Sequence, residues 1–357
     1  MSFDLVVVGE GGGPDETNLS AYLFKPSAAP WEDGIIALEA GSGQGAVQKL
    51  LQRDPQLFNS PGQPPERTKP YSASEIYSLV RCFLITHAHL DHVNSLVISA
   101  GSLSGPRKRL FAAKQTLTDL ESVFSDRLWP NLASWNDDDD DHKLLYTVLD
   151  MNDAYTTLIS DVSVRGFPVS HGHNAAGNYD SAAFFIRYDP TGHEFLFFGD
   201  LEPDTLSLSP QTLTVWRAAA PKIPESLSTI FIECSWPSSR SDDTLYGHLK
   251  PEHLAHELEV LATEVMKVRH AAQVSSPSAR PARKKQRMNN AVASPPSDVR
   301  GALEGVRVFV IHCKDTLDGA PDRPIQTLII EQIKALVEAK GLGVEILAAR
   351  QGMRIQI

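Results

Sequence analysis

Apolar residues in this chain come in short blocks. Leu5 to Val8, Leu19 to Phe24 and Ile35 to Glu39 are separated by turn-forming residues, among them Gly11-Gly12-Gly13-Pro14. Blocks of this length between glycines and prolines predict buried strands. The same pattern predicts strands from Arg81 to Thr86, near Leu110-Phe111-Ala112, and at 157–169, 182–188, 194–199, 228–233 and 306–311. A different period begins at Pro251, with apolar Leu254, Leu258, Leu261, Val265 and Val268. Proline in the first turn and that spacing predict a helix. Further helices are expected after His92 and near 325–339, and a last strand near Val344-Glu345-Ile346. Runs of strands broken by single helices predict an α/β protein, with sheets packed face to face and helices outside. The pattern alone allows more than one such sandwich.

The strand ends carry the chemistry. Directly after Thr86 come His87, His89, Asp91 and His92. His87 and His89, two apart in a turn, can point the same way and share one cation. Asp91 and His92 fall on the next stretch of backbone and can reach a second. Nitrogen and oxygen donors of this kind suit zinc or manganese. Three more strand-like runs end in a polar group: Phe167 to His173, Phe195 to Asp200 and Val306 to His312. A lone carboxylate or imidazole buried there is costly without a partner. Each one singly could be a satisfied core residue; together with the histidine-rich turn they predict a two-metal site.

Size and charge narrow the class. The chain has 357 residues and a formal net charge of −11. The candidate ligands run from His87 to His312, which favours one domain over 1–357. The acidic balance argues against a nucleic-acid partner, which needs a basic surface. A small anion is not excluded, because bound cations reverse the local field. Cys82, Cys234 and Cys313 form no spacing motif and read as small core residues in a reducing compartment. The first residues lack the basic start of a signal peptide, and no apolar run is long enough to span a membrane. Residues 271–301, with Arg283-Lys284-Lys285 at their centre, lack apolar periodicity and read as a disordered loop insertion. Asp137 to Asp141 read as a solvated loop.

The run His87-Ala-His89-Leu-Asp91-His92, with a separate His, Asp and His downstream, resembles the metallo-β-lactamase superfamily. Its extension through Val93-Asn94-Ser95-Leu96-Val97-Ile98-Ser99-Ala100 resembles the class II, fungal low-affinity, cyclic-nucleotide phosphodiesterases. Gly11-Gly12-Gly13-Pro14, Gly199-Asp200-Leu201-Glu202 and Leu245-Tyr246-Gly247-His248-Leu249-Lys250-Pro251 are similar to that family too. The resemblance implies a four-layer αββα sandwich. It implies two divalent ions, zinc first, with manganese or magnesium left open. His87, His89 and His171 would hold one ion, Asp91, His92 and His312 the other, and Asp200 would bridge. It further implies hydrolysis of 3′,5′-cyclic nucleotides to 5′-nucleotides by a dimetal-activated hydroxide, cAMP first and cGMP left open.

Asp91 is counted with the catalytic residues as well as the ligands. Expelling a 3′-alkoxide calls for a general acid, and His248 is the candidate. Related tRNA 3′-end nucleases carry a similarly placed loop histidine. The alternative for His248 is a cap on the following helix. Glu233 is a candidate buttress for it. Gly12, Gly13, Asn18 and His173 are candidate substrate contacts; for the glycines a plain hairpin turn is the competing reading. His253 and His256 read as packing or surface residues. The other function considered is another hydrolase on this scaffold, such as a tRNA 3′-end endonuclease or lactonase. A cytoplasmic location, with nuclear entry through the basic tract left open, and a homodimer complete the expectations.

Overall fold

The structure, a computed structural model, describes residues 1–59, 69–175, 177–275, 298–315 and 324–357. The chain opens with strands β1 (Phe3–Gly9), β2 (Ala21–Pro26) and β3 (Ile35–Leu38). Helices α1 (Gln44–Arg53) and α2 (Ala73–Leu79) follow, then β4 (Val80–Leu84) and α3 (Leu90–Ser99). Next come β5 (Lys108–Ala112), α4 (Lys114–Val123), β6 (Ala133–Ser134) and β7 (Leu144–Val148). These strands and β15 (Arg354–Gln356) form one eight-stranded sheet in the order β15-β1-β2-β3-β4-β5-β7-β6.

The second sheet has seven strands in the order β14-β13-β12-β11-β10-β9-β8. They are β8 (Thr156–Ile159), β9 (Val162–Asn174), β10 (Gly177–Tyr188), β11 (His193–Phe198), β12 (Leu227–Glu233), β13 (Arg307–Ile311) and β14 (Glu345–Ala348). Helices α5 (Thr212–Ala219), α6 (Pro251–Ser275) and α7 (Ile325–Lys340) cover its outer face. Each sheet is antiparallel on one side and parallel on the other. β3, β4 and β5 run parallel in the first, and β11 to β14 in the second.

Strand periodicity explains the layers. In β1, Leu5 and Val7 enter the core between the sheets, while Val6 and Val8 pack on the helix side. The inter-sheet core is aromatic: Phe3 meets Phe195 and Tyr22 meets Phe197, both edge to face with ring centroids 5.2 Å apart. Such pairs add about 0.5–1.5 kcal/mol beyond their burial. Helices outside two packed sheets give the expected four-layer αββα arrangement. All three cysteines are free and buried.

Several local expectations change. The stretch at 157–169 is two strands, and β9 does not stop at Val169 but runs on to Asn174. The strand near Val344-Glu345-Ile346 is not the last, because β15 returns to pair with β1. Helix α6 continues to Ser275, into the expected insertion, and Val299 packs against the core beyond it. The rest of that insertion, 276–297 with its basic tract, lies outside the described residues. Asp139 pairs with His142 at 2.9 Å, and Arg107 donates to the carbonyls of Asn136 and Asp137, so that loop is tied down at its base.

Candidate metal centre

Consecutive polar groups leave the carboxyl ends of the parallel strands. Glu39 follows β3, His87 follows β4, Asp200 follows β11, Glu233 ends β12 and His312 follows β13. Open α/β sheets collect ligands at this edge. His89 stands at the start of α3, with Asp91 and His92 in its first turn, where a carboxylate suits the helix dipole.

Asp200 sits at the centre. Oδ1 is 3.2 Å from His92 Nε2. Oδ2 is 3.3 Å from His312 Nε2 and 3.7 Å from both His87 Nε2 and His171 Nε2. Two overlapping sets of donor atoms, each within 4.8 Å of one another, share it: His87, His89, His171 and Asp200, and Asp91, His92, Asp200 and His312. A third set joins Asp200, Glu233, His248 and His312.

The donor chemistry fits cations. His92 Nε2 and His312 Nε2 lie 3.1 Å apart, and His171 Nε2 and His89 Nδ1 lie 3.2 Å apart. The opposite nitrogens face other groups. His171 Nδ1 donates to the Gly247 carbonyl at 2.7 Å, His312 Nδ1 faces Ser235 Oγ at 3.1 Å, and His92 Nδ1 faces Glu39 Oε2 at 3.4 Å. His87 Nδ1 is 3.0 Å from Thr86 Oγ1 and 3.4 Å from Ser181 Oγ. Ring nitrogens therefore converge on one another and on Asp200 across the site. His87 Nε2, buried, has no hydrogen-bond partner among the described residues. A divalent ion satisfies this arrangement, and second groups of this sort orient metal-ligating imidazoles.

Electrostatics divide the imidazoles: against its burial, Asp200 and Glu39 hold His92 well above the ordinary value. Burial holds His87 well below the ordinary imidazole value and His171 down at about 3, so both stay neutral donors. Burial alone would raise Asp200, but His312 and His92 outweigh it and hold the carboxyl well below the usual range. Asp91 is likewise held low, against its burial, by the hydrogen bond and charge of His312. A buried carboxylate among imidazoles stays ionised and can ligate.

A bulge aims His171. Between the pairs Asn178–His173 and Asp180–Ser170, strand β9 has two residues, His171 and Gly172, where β10 has one, Tyr179. Bulges beside active sites re-aim side chains in this way. Gly247, at φ +80°, then packs directly on His171. A Cβ there would come within 2.6 Å of the His171 carbonyl oxygen.

His248 sits beside the same centre. Its Nδ1 faces Glu233 Oε1 at 2.9 Å, and its ring stacks on His312 at 5.2 Å. That bond points away from the capping alternative, since α6 begins only at Pro251. Glu233 also accepts from Leu201 N, Leu249 N and Ser235 Oγ, so it holds the loop together as well.

The remaining candidates divide. Gly12 lies on the His312 imidazole, where a Cβ would be 2.5 Å from the ring. Gly13 is at φ +85°, with open room around it. Asn18 serves the turn: Oδ1 accepts from Glu10 N at 3.1 Å, and its carbonyl accepts from Gly11 N at 2.8 Å. His173 is exposed on the β9–β10 hairpin. Lys314, not anticipated, donates to the Gly12 carbonyl at 2.8 Å and stands 3.8 Å from Asp91 Oδ2. Glu39, Ser235 and Gly247 also escaped the sequence reading. Glu39 had a usable signal, since it ends an apolar run in a carboxylate just as Asp200 does.

Residues 63–352 match the family of class-II cAMP phosphodiesterases. The chain belongs to that family. A 3′,5′-cyclic-nucleotide phosphodiesterase of Schizosaccharomyces pombe is 32% identical over 275 residues, covering 74% of this chain and 76% of its own. A protein of the same name from Aliivibrio fischeri is 28% identical over 359 residues, covering 99% and 93%. The crystal structure of unliganded yeast PDE1 superposes with a TM-score of 0.76 at 22% identity, over 98% of both chains. Human tRNase Z, short form, superposes at 0.52 with 12% identity over 99% of each chain. These two likenesses establish the shared metallo-hydrolase fold.

Proposed function

We propose that this chain hydrolyses 3′,5′-cyclic nucleotides to 5′-nucleotides, cAMP first and cGMP alongside it, at a site holding two divalent ions, with zinc as the resident metal. The observation that carries the reading is the pair of donor sets meeting at Asp200. His87, His89 and His171 would hold one ion, Asp91, His92 and His312 the second, and Asp200 both. When bound, the ions supply charge neutralisation for the phosphate and a nucleophile at neutral pH.

The chain's own residues do the rest. The buried carboxylates and imidazoles exclude bulk water and fix the donors before substrate arrives. Asp91, half-buried beside Lys314, is placed to accept the proton that the attacking water gives up. Lys314 adds positive charge toward an anionic substrate. Glu233 accepts a hydrogen bond from His248 Nδ1, which leaves Nε2 to carry a proton to the departing 3′-oxygen. Gly12 lets the His312 ring pack against the turn, Gly13 leaves room beside it for substrate, and His173 stands exposed on the hairpin rim. A cytoplasmic location is the compartment proposed. Among the described residues no helix is long and apolar enough to cross a membrane.

The test is release of 5′-AMP from cAMP by the purified chain, with and without a chelator. Activity should vanish on chelation, return with added zinc or manganese, and be absent in Asp200→Ala. Turnover that survives complete metal removal would refute the proposal.

A further inference from the structure

Four of the six imidazoles around Asp200 have a hydrogen-bonded anchor for one ring nitrogen, Thr86 and Ser181 for His87, Gly247 for His171, Glu233 for His248 and Ser235 for His312, and His92 Nδ1 faces the buried Glu39 carboxylate at 3.4 Å. His89 is the exception. Its Nδ1 faces His171 Nε2, and no hydrogen bond reaches its Nε2 from the described residues. It is also exposed, unlike the rest of its donor set. An exposed imidazole with no anchor is free to rotate, and holding it costs side-chain entropy.

What His89 has instead is a ring. Tyr179 lies flat against it, with centroids 4.6 Å apart and planes 5° apart. The same ring meets His87 and His171 at 6.0 and 5.9 Å. Tyr179 is half-buried and sits opposite the bulge that aims His171. One aromatic face thus borders the three imidazoles of one donor set.

We propose that Tyr179 is a positioning residue for His89, its stacked ring replacing the polar partner that faces the outer nitrogen of each of the other imidazoles. The idea rests on the reading of His89 as a metal donor. Its readout is affinity for the ion, which ring orientation sets before any substrate binds. Outer groups of this kind change metal affinity by roughly 10–100-fold.

The experiment titrates zinc into metal-free full-length protein against a chromophoric chelator, for wild type, Tyr179→Phe and Tyr179→Leu, with thermal melts of each metal-free chain as the check on folding. Tyr179→Phe keeps the stack and should keep wild-type affinity. Tyr179→Leu keeps the bulk but not the stack, and should weaken one of two zinc-binding steps by about 10–100-fold. Wild-type affinity in a folded Tyr179→Leu overturns the proposal, even if KM for cAMP rises, since the ring would then serve substrate. Equal weakening in Tyr179→Phe overturns it too, because the hydroxyl would be the anchor. A wild-type chain that takes up no zinc refutes the metal reading itself, and is told apart by that.

Discussion

Glu233 ends a strand whose inner residues are apolar, and its carboxylate accepts a hydrogen bond from His248 Nδ1 at 2.9 Å. Burial would raise Glu233, but His248 outweighs it and holds the carboxyl low. A histidine held this way can donate from its other nitrogen without changing ring orientation. His248→Ala should therefore lower kcat on cAMP by roughly 10²–10⁴, with metal content unchanged. A p-nitrophenyl phosphodiester, whose leaving group needs no proton, should lose far less. Equal losses on both substrates would make His248 a phosphate contact instead. The His248–Glu233 pairing was legible from sequence because both stand at the ends of apolar or glycine-marked segments. Asn18 was not. Its neighbours suggested a substrate contact, but the hydrogen bond from Glu10 N depends on how the turn folds.

Elements were legible where burial imposes a period. β1 to β4 and β11 to β13 are buried along nearly their whole length, and α6 keeps its apolar stripe. Helices α1, α2, α4 and α5 were missed because each is short and buries only a few residues. β15 was missed because its one buried residue, Ile355, leaves no period to read. Packing between α5 and α6 adds a pH dependence that no pattern announces. Glu257 on α6 is buried, accepting from Trp216 Nε1 at 2.8 Å and from Asp204 N at 3.3 Å. Burial pushes its carboxyl up from 4.5 to about 7. A carboxyl raised in the folded state binds its proton more tightly there. The stability it gives is full below about pH 4.5 and is lost as pH rises through about 7. The loss amounts to about 3 kcal/mol. Glu257→Gln should flatten the melting temperature between pH 5 and 8 relative to wild type. An unchanged slope in the variant would assign the dependence to other groups.

At the scale of the whole molecule, the two donor sets join the sheets. His87, His89, Asp91 and His92 belong to the turn and helix after β4 in the first sheet, while His171, Asp200 and His312 come from the second. An ion bound by both closes the sandwich at its open edge, and it also neutralises the buried Asp200. Binding to the folded chain alone stabilises by mass action, about 2.7 kcal/mol at a hundredfold excess over Kd. Unfolding entropy is about 2.1 cal/mol/K per residue. For 357 residues that stabilisation corresponds to a rise of roughly 4 °C in Tm. Chelated protein should melt lower by about that amount and recover with added zinc in a concentration-dependent way. Asp200→Ala, which removes the donor common to both sets, should show little response to either treatment. An identical Tm before and after metal loss verified by elemental analysis would mean that the ions do not tie the sheets together. The edge would then owe its closure to contacts that cross between the sheets, such as Ser181 Oγ to His87 Nδ1 and Lys314 Nζ to the Gly12 carbonyl.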